Sequence, residues 1–239
     1  MKAKSQPFDL TYDGYFVAPA FALANSAVGN VGTLQALHKA LNKRFDISPS
    51  EMRVSGGNSL SDVRVSLGLF RGNGLIEIDV EKVHIVLKSI SGPDDIEIVK
   101  DCINLVQETL IATLDVEFRW ANVTIASRMK ADDSSIDVGT HFEELYTPTT
   151  IQSLNSKSAD FKDRVGMVYE CESSEEKWDC IFYATRNRDQ FNEISVFTIF
   201  RFLDLNLFPS IADQADQIDA AFVSFLERAD IELSTDGEE

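Results

Sequence analysis

The sequence predicts an α+β protein in which antiparallel sheets are each covered by a long helix. Three observations carry this. Runs of alternating apolar and polar residues are joined by connections too short for parallel crossovers. Three other segments place apolar residues at spacings of three and four. The order strand, helix, several strands, long helix then recurs along the chain, which gives a further reading as two pseudo-repeated halves. No residue-level identity joins the halves, so both a duplication and a repeated solution of laying a helix over a sheet account for the recurrence.

The first strand is Phe8 to Phe16, followed by a small-residue loop from Ala18 to Asn30. Thr33 to Phe45 is an amphipathic helix with its stripe at Leu34, Leu37, Leu41 and Phe45, and Pro49 closes the connection after it. Val63, Val65, Leu67 and Leu69 alternate with polar or small residues. Arg71-Gly72-Asn73-Gly74 turns the chain into Ile76, Ile78 and Val80, and a tight connection near Glu81-Lys82 leads to Val83, Ile85 and Leu87. Ser91-Gly92-Pro93-Asp94-Asp95 starts a long helix, with proline at an early position and acids facing the helix dipole. Its broad stripe runs through Ile96, Val99, Ile103, Val106 and Leu110.

Val116 to Met129 is a long strand with Val116, Phe118 and Trp120 on one face. Its apolar residues change parity to Val123 and Ile125, which places a bulge near Ala121-Asn122. A polar stretch follows, with a short helix over His141 to Tyr146. Val165 to Cys171 and Trp178 to Ala184 form a hairpin about a turn at Ser173 to Lys177, and Ile194 to Leu207 is a longer interior strand. Ser210 and Asp213 stand at capping-box spacing before a last helix with its stripe at Ala215, Ile218, Phe222, Phe225 and Ala229. Residues 234–239 form an acidic tail. This divides the chain into an α+β half over 1–131, an acidic and polar linker or lid over 132–158, and an acidic α+β half over 159–239.

With 44% hydrophobic and 26% charged residues among 239, the chain has globular composition and is not disordered. Its 16 Phe residues bring apolar area without a polar handle and belong to core. No apolar run reaches the ~20 residues that span a bilayer, and acids follow the basic N-terminus where a signal peptide would be apolar. Three cysteines, Cys102, Cys171 and Cys180, are an odd count with no CxxC pair, so free thiols and a cytoplasmic location are expected.

The net charge of −17 is uneven: 15 acidic against 14 basic residues through Ala131, and 24 against 8 from Asp132 onward. A surface of that sign repels phosphate, so direct nucleic-acid binding is disfavoured. The acid serves either solubility or a partner surface.

No catalytic machinery stands out. The three histidines, His38, His84 and His141, form no HxH, HxxxH or HExxH spacing, so no metal site is expected. His38 flanks a helix stripe. His84 shares a strand face with Val86 and Lys88, and His141 precedes Glu143 and Glu144. Asp132 to Asp137 clusters carboxylates but lacks the glycine and terminal glutamate of a calcium loop. Gly56-Gly57-Asn58-Ser59 and Gly72-Asn73-Gly74 match no phosphate-binding fingerprint, so no nucleotide cofactor is expected by those routes, and no cofactor is expected at all. Arg201, between Phe200 and Phe202, either pairs with an acid such as Asp204 or faces a ligand.

The segment Phe200-Arg201-Phe202-Leu203-Asp204-Leu205-Asn206-Leu207-Phe208, with the helix carrying Ile218 and Phe222, resembles the end of a sporadically distributed family of uncharacterised prokaryotic proteins. The likeness extends to element order over most of the chain. Phe118-Arg119-Trp120-Ala121-Asn122 stands where that family has a basic-glycine start to the middle strand. The resemblance implies a bacterial origin and no activity.

The leading expectation is a non-catalytic acidic protein-interaction module, adaptor-, antitoxin- or chaperone-like, whose partner carries a basic surface. Self-association through a sheet edge or helix face is its other form. Asp216, Asp219 and Glu227 on the outer face of the last helix would meet that partner. The alternative is a small-ligand binder or unrecognised enzyme with a pocket between helix and sheet, gated by 132–158, with Arg201 and His141 as pocket residues.

Overall fold

The computed structural model describes residues 1–24, 31–45, 47, 51–55, 62–145, 166–173, 175, 177–187, 190–208 and 210–234. Pro49, the glycine cluster at 56–59, Val165 and the linker from 146 onward lie outside the described residues.

The strands are β1 (Lys2–Ser5), β2 (Phe8–Phe16), β3 (Met52–Ser55), β4 (Arg64–Leu69), β5 (Gly74–Ile78), β6 (Lys82–Ile90), β7 (Phe118–Ala131), β8 (Gly166–Ser173), β9 (Trp178–Arg186), β10 (Glu193–Phe202) and β11 (Glu232–Leu233). The helices among the described residues are α1 (Val31–Phe45), α2 (Gly92–Leu114), α3 (Val138–Leu145) and α4 (Ile211–Arg228). The α+β class holds, but the expected plural sheets are one. Nine strands run in the order β3-β4-β5-β6-β2-β7-β10-β9-β8, every neighbouring pair antiparallel, and β1 joins β7 to β11 at the side. β2 and β7 meet in the middle along a register that runs from Asp9 opposite Ala126 to Tyr15 opposite Trp120.

One face of this sheet carries the core. Leu10 and Tyr12 of β2, Ile76 and Ile78 of β5, Val83 and Ile85 of β6, Val123 of β7 and Phe200 and Phe202 of β10 are buried there. Leu37 and Leu41 of α1, with Val106 and Leu110 of α2, belong to the same cluster. Ser210 and Asp213 form the expected reciprocal cap of α4, their backbone N–H groups bonding each other's side-chain oxygens at 3.1–3.2 Å.

The facing of α4 differs from expectation. Ile211, Gln214, Ala221 and Phe225 are its fully buried positions, while Ile218 and Phe222 are half-buried. A polar Gln214 in the first turn of the buried stripe hid this rotation from an apolar-spacing argument.

The bulge on β7 also lies elsewhere. Pairing jumps from Tyr15 opposite Trp120 to Phe16 opposite Phe118, so the extra residue is Arg119. Phe118 therefore turns to the helix side, where its ring meets Phe16 edge-on at 5.2 Å, and Trp120 turns to the other face. Gly14 makes room for this: a Cβ there would stand 2.9 Å from the Tyr12 ring and 3.0 Å from that of Phe118.

Candidate functional site

The opposite face of the sheet bears no helix among the described residues, and register aligns its side chains into rows. One row crosses the whole sheet: Arg53, Ser66, Glu77 and His84, then Asp13, Asn122, Arg201, Asp179 and Glu172, each opposite the next. All nine are polar. Cross-strand neighbours of this kind lie about 4.5–5.5 Å apart, close enough to bond directly.

At its centre, Asp13 Oδ1 accepts from Lys82 Nζ at 2.6 Å and from His84 Nδ1 at 2.9 Å. A carboxylate only accepts, so Nδ1 carries the proton when the ring is neutral and Nε2 is left as the outward nitrogen. Burial pushes the Asp13 carboxyl up, but the bonds from His84 and Lys82 and their charge outweigh it, and its pKa lies below the ordinary aspartate value. The Lys82 ammonium is raised: burial disfavours it, and the Asp13 contact more than offsets that.

A depressed carboxyl stabilises the fold above its unfolded pKa of ~3.9, and loses that contribution as pH falls through the lower folded value. Asp13→Asn is therefore expected to destabilise the protein at neutral pH. The difference from wild type should close as pH drops below ~4 in parallel urea melts. A gap that stays constant to the acid limit would refute the ion-pair account.

One step along the strands, Tyr15 and Trp120 stack at 3.6 Å between centroids and 9° between planes, with Lys82 Nζ 5.4 Å from the Tyr15 ring. Both rings are half-buried on the helix-free face. Within the row and next to the aromatic pair, Asn122 Oδ1 is buried and has no hydrogen-bond partner. Such an acceptor is costly to leave unmade. Thr11 and Thr124 lie on its far side, opposite each other.

Arg201 stands on this face beside Asn122, and its Nε donates to Asp179 Oδ1 at 2.5 Å. The partner is thus Asp179, while Asp204 takes Lys177 at 2.9 Å. His141 lies on the other side of the sheet, where its Nε2 meets the Ala229 carbonyl at 2.8 Å and ties α3 to the end of α4. The structure does not bring Arg201 and His141 together. Asp216, Asp219 and Glu227 are exposed along α4. Burial pushes the Asp219 carboxyl up against the pull of Lys100 on α2.

Cys102, Cys171 and Cys180 are free thiols. Cys171 and Cys180 are register partners on β8 and β9. Burial pushes Cys102 up to about 12, and burial with the neighbouring Cys171 does the same for Cys180, so neither is a ready nucleophile. No three metal-ligating side chains converge among the described residues. No described helix is long and apolar enough to cross a membrane.

Sequence reasoning missed the Asp13–His84–Lys82 cluster and the aromatic pair. In the sequence Asp13 and His84 stand on strands, Lys82 in a tight connection and Trp120 on an apolar strand face, and what joins them is the β6-β2-β7 adjacency, a long-range fact. The paired aromatics were visible as residues, but the bulge that turns Trp120 toward Tyr15 was placed two residues too late.

No family model and no curated protein matches the chain. Among solved structures it is similar to the rolling circle replication initiator protein from Geobacillus stearothermophilus, with 12% identity over 92% of this chain and 80% of that one, at a TM-score of 0.32. The expectation of a non-catalytic acidic interaction module does not agree with that neighbour and is not carried further. A likeness of this size passes no activity to the present chain.

Proposed function

We propose that the helix-free face of the sheet binds a ligand with a planar, hydrogen-bonding ring, of the nucleobase class. The observation that supports this is the stacked Tyr15–Trp120 pair beside an unpartnered Asn122 carbonyl oxygen. Bases taken out of a helix are recognised by aromatic faces together with donors and acceptors at their edges. The grid around Asn122 offers both. Asn122 Oδ1 accepts from an exocyclic amine, the outward Nε2 of the neutral His84 ring also accepts, and the threonine hydroxyls meet either kind of edge. Two of the charged groups, Asp13 and Arg201, are already engaged and serve to hold the surface rigid. A net charge of −17 disfavours polyphosphate or a long nucleic-acid strand, so the ligand is a nucleoside or a similar uncharged heteroaromatic compound.

The element order supports a reading of the fold as two pseudo-repeated halves. In each half a strand leads into a helix, and a meander then returns beside that strand and runs into a long helix: β2 to α2, and β7 to α4. The strands that lead into the first helix of each unit, β2 and β7, are the two that meet under the site. Free thiols fit a reducing compartment such as a bacterial cytoplasm.

The two tryptophans make this testable by emission. Trp178 is buried, and Trp120 lies at the site. Adenosine, guanosine, cytidine and uridine titrated separately should give saturable quenching with at least one of them. Trp120→Ala should weaken binding by about 1–3 kcal/mol, the contribution of one stacked base, with the melting temperature little changed. Each 5′-monophosphate should bind more weakly than its nucleoside. If no nucleoside binds, or if Trp120→Ala and wild type bind alike by calorimetry, the open face is not this site.

A further inference from the structure

A second site lies on the helix side of the sheet, at the end where α2, the start of β7 and the turn into α4 come together. They enclose a cleft of about 780 Å³, the size of a small-molecule site. Its floor includes Gln214, which is 1% exposed. The Gln214 side chain hydrogen-bonds the Tyr12 hydroxyl, which also accepts from Gln107 Nε2 at 2.6 Å. Gln214 Oε1 is left with no partner. Turning the amide over lets Oε1 accept the Tyr12 proton but strands Nε2 instead. Either way one end of a buried amide at the cleft floor is unsatisfied, and native proteins rarely tolerate that without a reason.

The walls restrict what fills the space. Asn104 and Gln107 supply further neutral amides from α2, and Glu108 and Glu117 supply carboxylates. Lys177 also borders the cleft, but its charge is taken by Asp204. Among the described lining residues only Arg119 stands against those two glutamates, so an anionic ligand meets net repulsion. Phe118 adds an apolar ring. Amides and carboxylates around an aromatic face suit hydroxyl groups, because a hydroxyl both donates and accepts and so satisfies the Gln214 amide in either orientation.

We infer that this cleft binds a small neutral polyhydroxylated ligand of the monosaccharide class, with the buried Gln214 amide as its anchor. The site is separate from the open face and does not depend on it.

The test uses the full chain with glucose, galactose, mannose and inositol as probes, followed by saturation-transfer NMR and by calorimetry. At least one should bind saturably. Gln214→Leu should weaken it about tenfold, the equivalent of one hydrogen bond to a buried group. Asn104→Leu, outside the Tyr12 network, should weaken it as well while the protein stays folded, and it decides the matter if Gln214→Leu does not fold. Binding by none of the probes overturns the inference. Equal binding by wild type and the foldable variants overturns it too, as does preference for glucose 6-phosphate over glucose.

Discussion

Phe225→Ala is expected to cost about 3–5 kcal/mol, more than any other single truncation on α4. The ring is fully buried and lies flat on Phe182 of β9, with centroids 4.6 Å apart and planes within 2°. Phe182 in turn meets Phe200 of β10 edge-on at 5.6 Å, so one ring on the helix locks two neighbouring strands of the sheet. Removal forfeits the burial and leaves a cavity bounded by other large rings, which have little freedom to collapse into it. Domains of this kind have only about 5–15 kcal/mol in hand, so the variant should be near the edge of folding. Phe222→Ala should cost distinctly less, because that ring is half-buried, and Asp219→Ala should cost little. Urea melts of the three variants settle the facing of α4. Equal losses for Phe222→Ala and Phe225→Ala would mean that the buried stripe runs where apolar spacing first put it.

That comparison shows where sequence reading reaches its limit. Helix existence, the antiparallel meander and the cap at Ser210 were legible because they depend on local periodicity and on side chains three residues apart. The rotation of α4 was not, because its best-buried position after Phe225 includes Gln214, whose burial makes sense only once Tyr12 is opposite it. The parity change on β7 was legible as an event but not as a place. Arg119, the extra residue, is polar and exposed and leaves no mark in a hydrophobic pattern. The candidate site was the least legible of all. Asp13, His84, Asn122 and Trp120 come from three strands, and nothing within any one strand says that β2 lies between β6 and β7. Arg201 was singled out correctly as a charged residue on an apolar strand, yet its acid proved to be across the ladder on β9 and not three residues along.

The same long-range logic governs the second large effect, at Tyr12. Tyr12→Ala is expected to cost roughly 3–5 kcal/mol, and Tyr12→Phe about 1–3 kcal/mol although it removes a single oxygen. The side chain is fully buried at the middle of the sheet, and its hydroxyl is the meeting point of Gln107 on α2 and Gln214 on α4. Burial pushes the phenol far up, against the pull of the two amide bonds, so it is neutral at pH 7. Phenylalanine keeps the ring contacts but strands the buried Gln214 amide and takes the partner from the half-buried Gln107, and an unmet buried polar group costs more than a met one returns. If that is the cause, Gln214→Leu should be much less costly on a Tyr12→Phe background than on wild type, with a coupling of about 0.5–3 kcal/mol in a double-mutant cycle. Additive losses would show that the hydroxyl does not tie the two helices to the sheet. The Gln214 amide would then be held by something other than Tyr12.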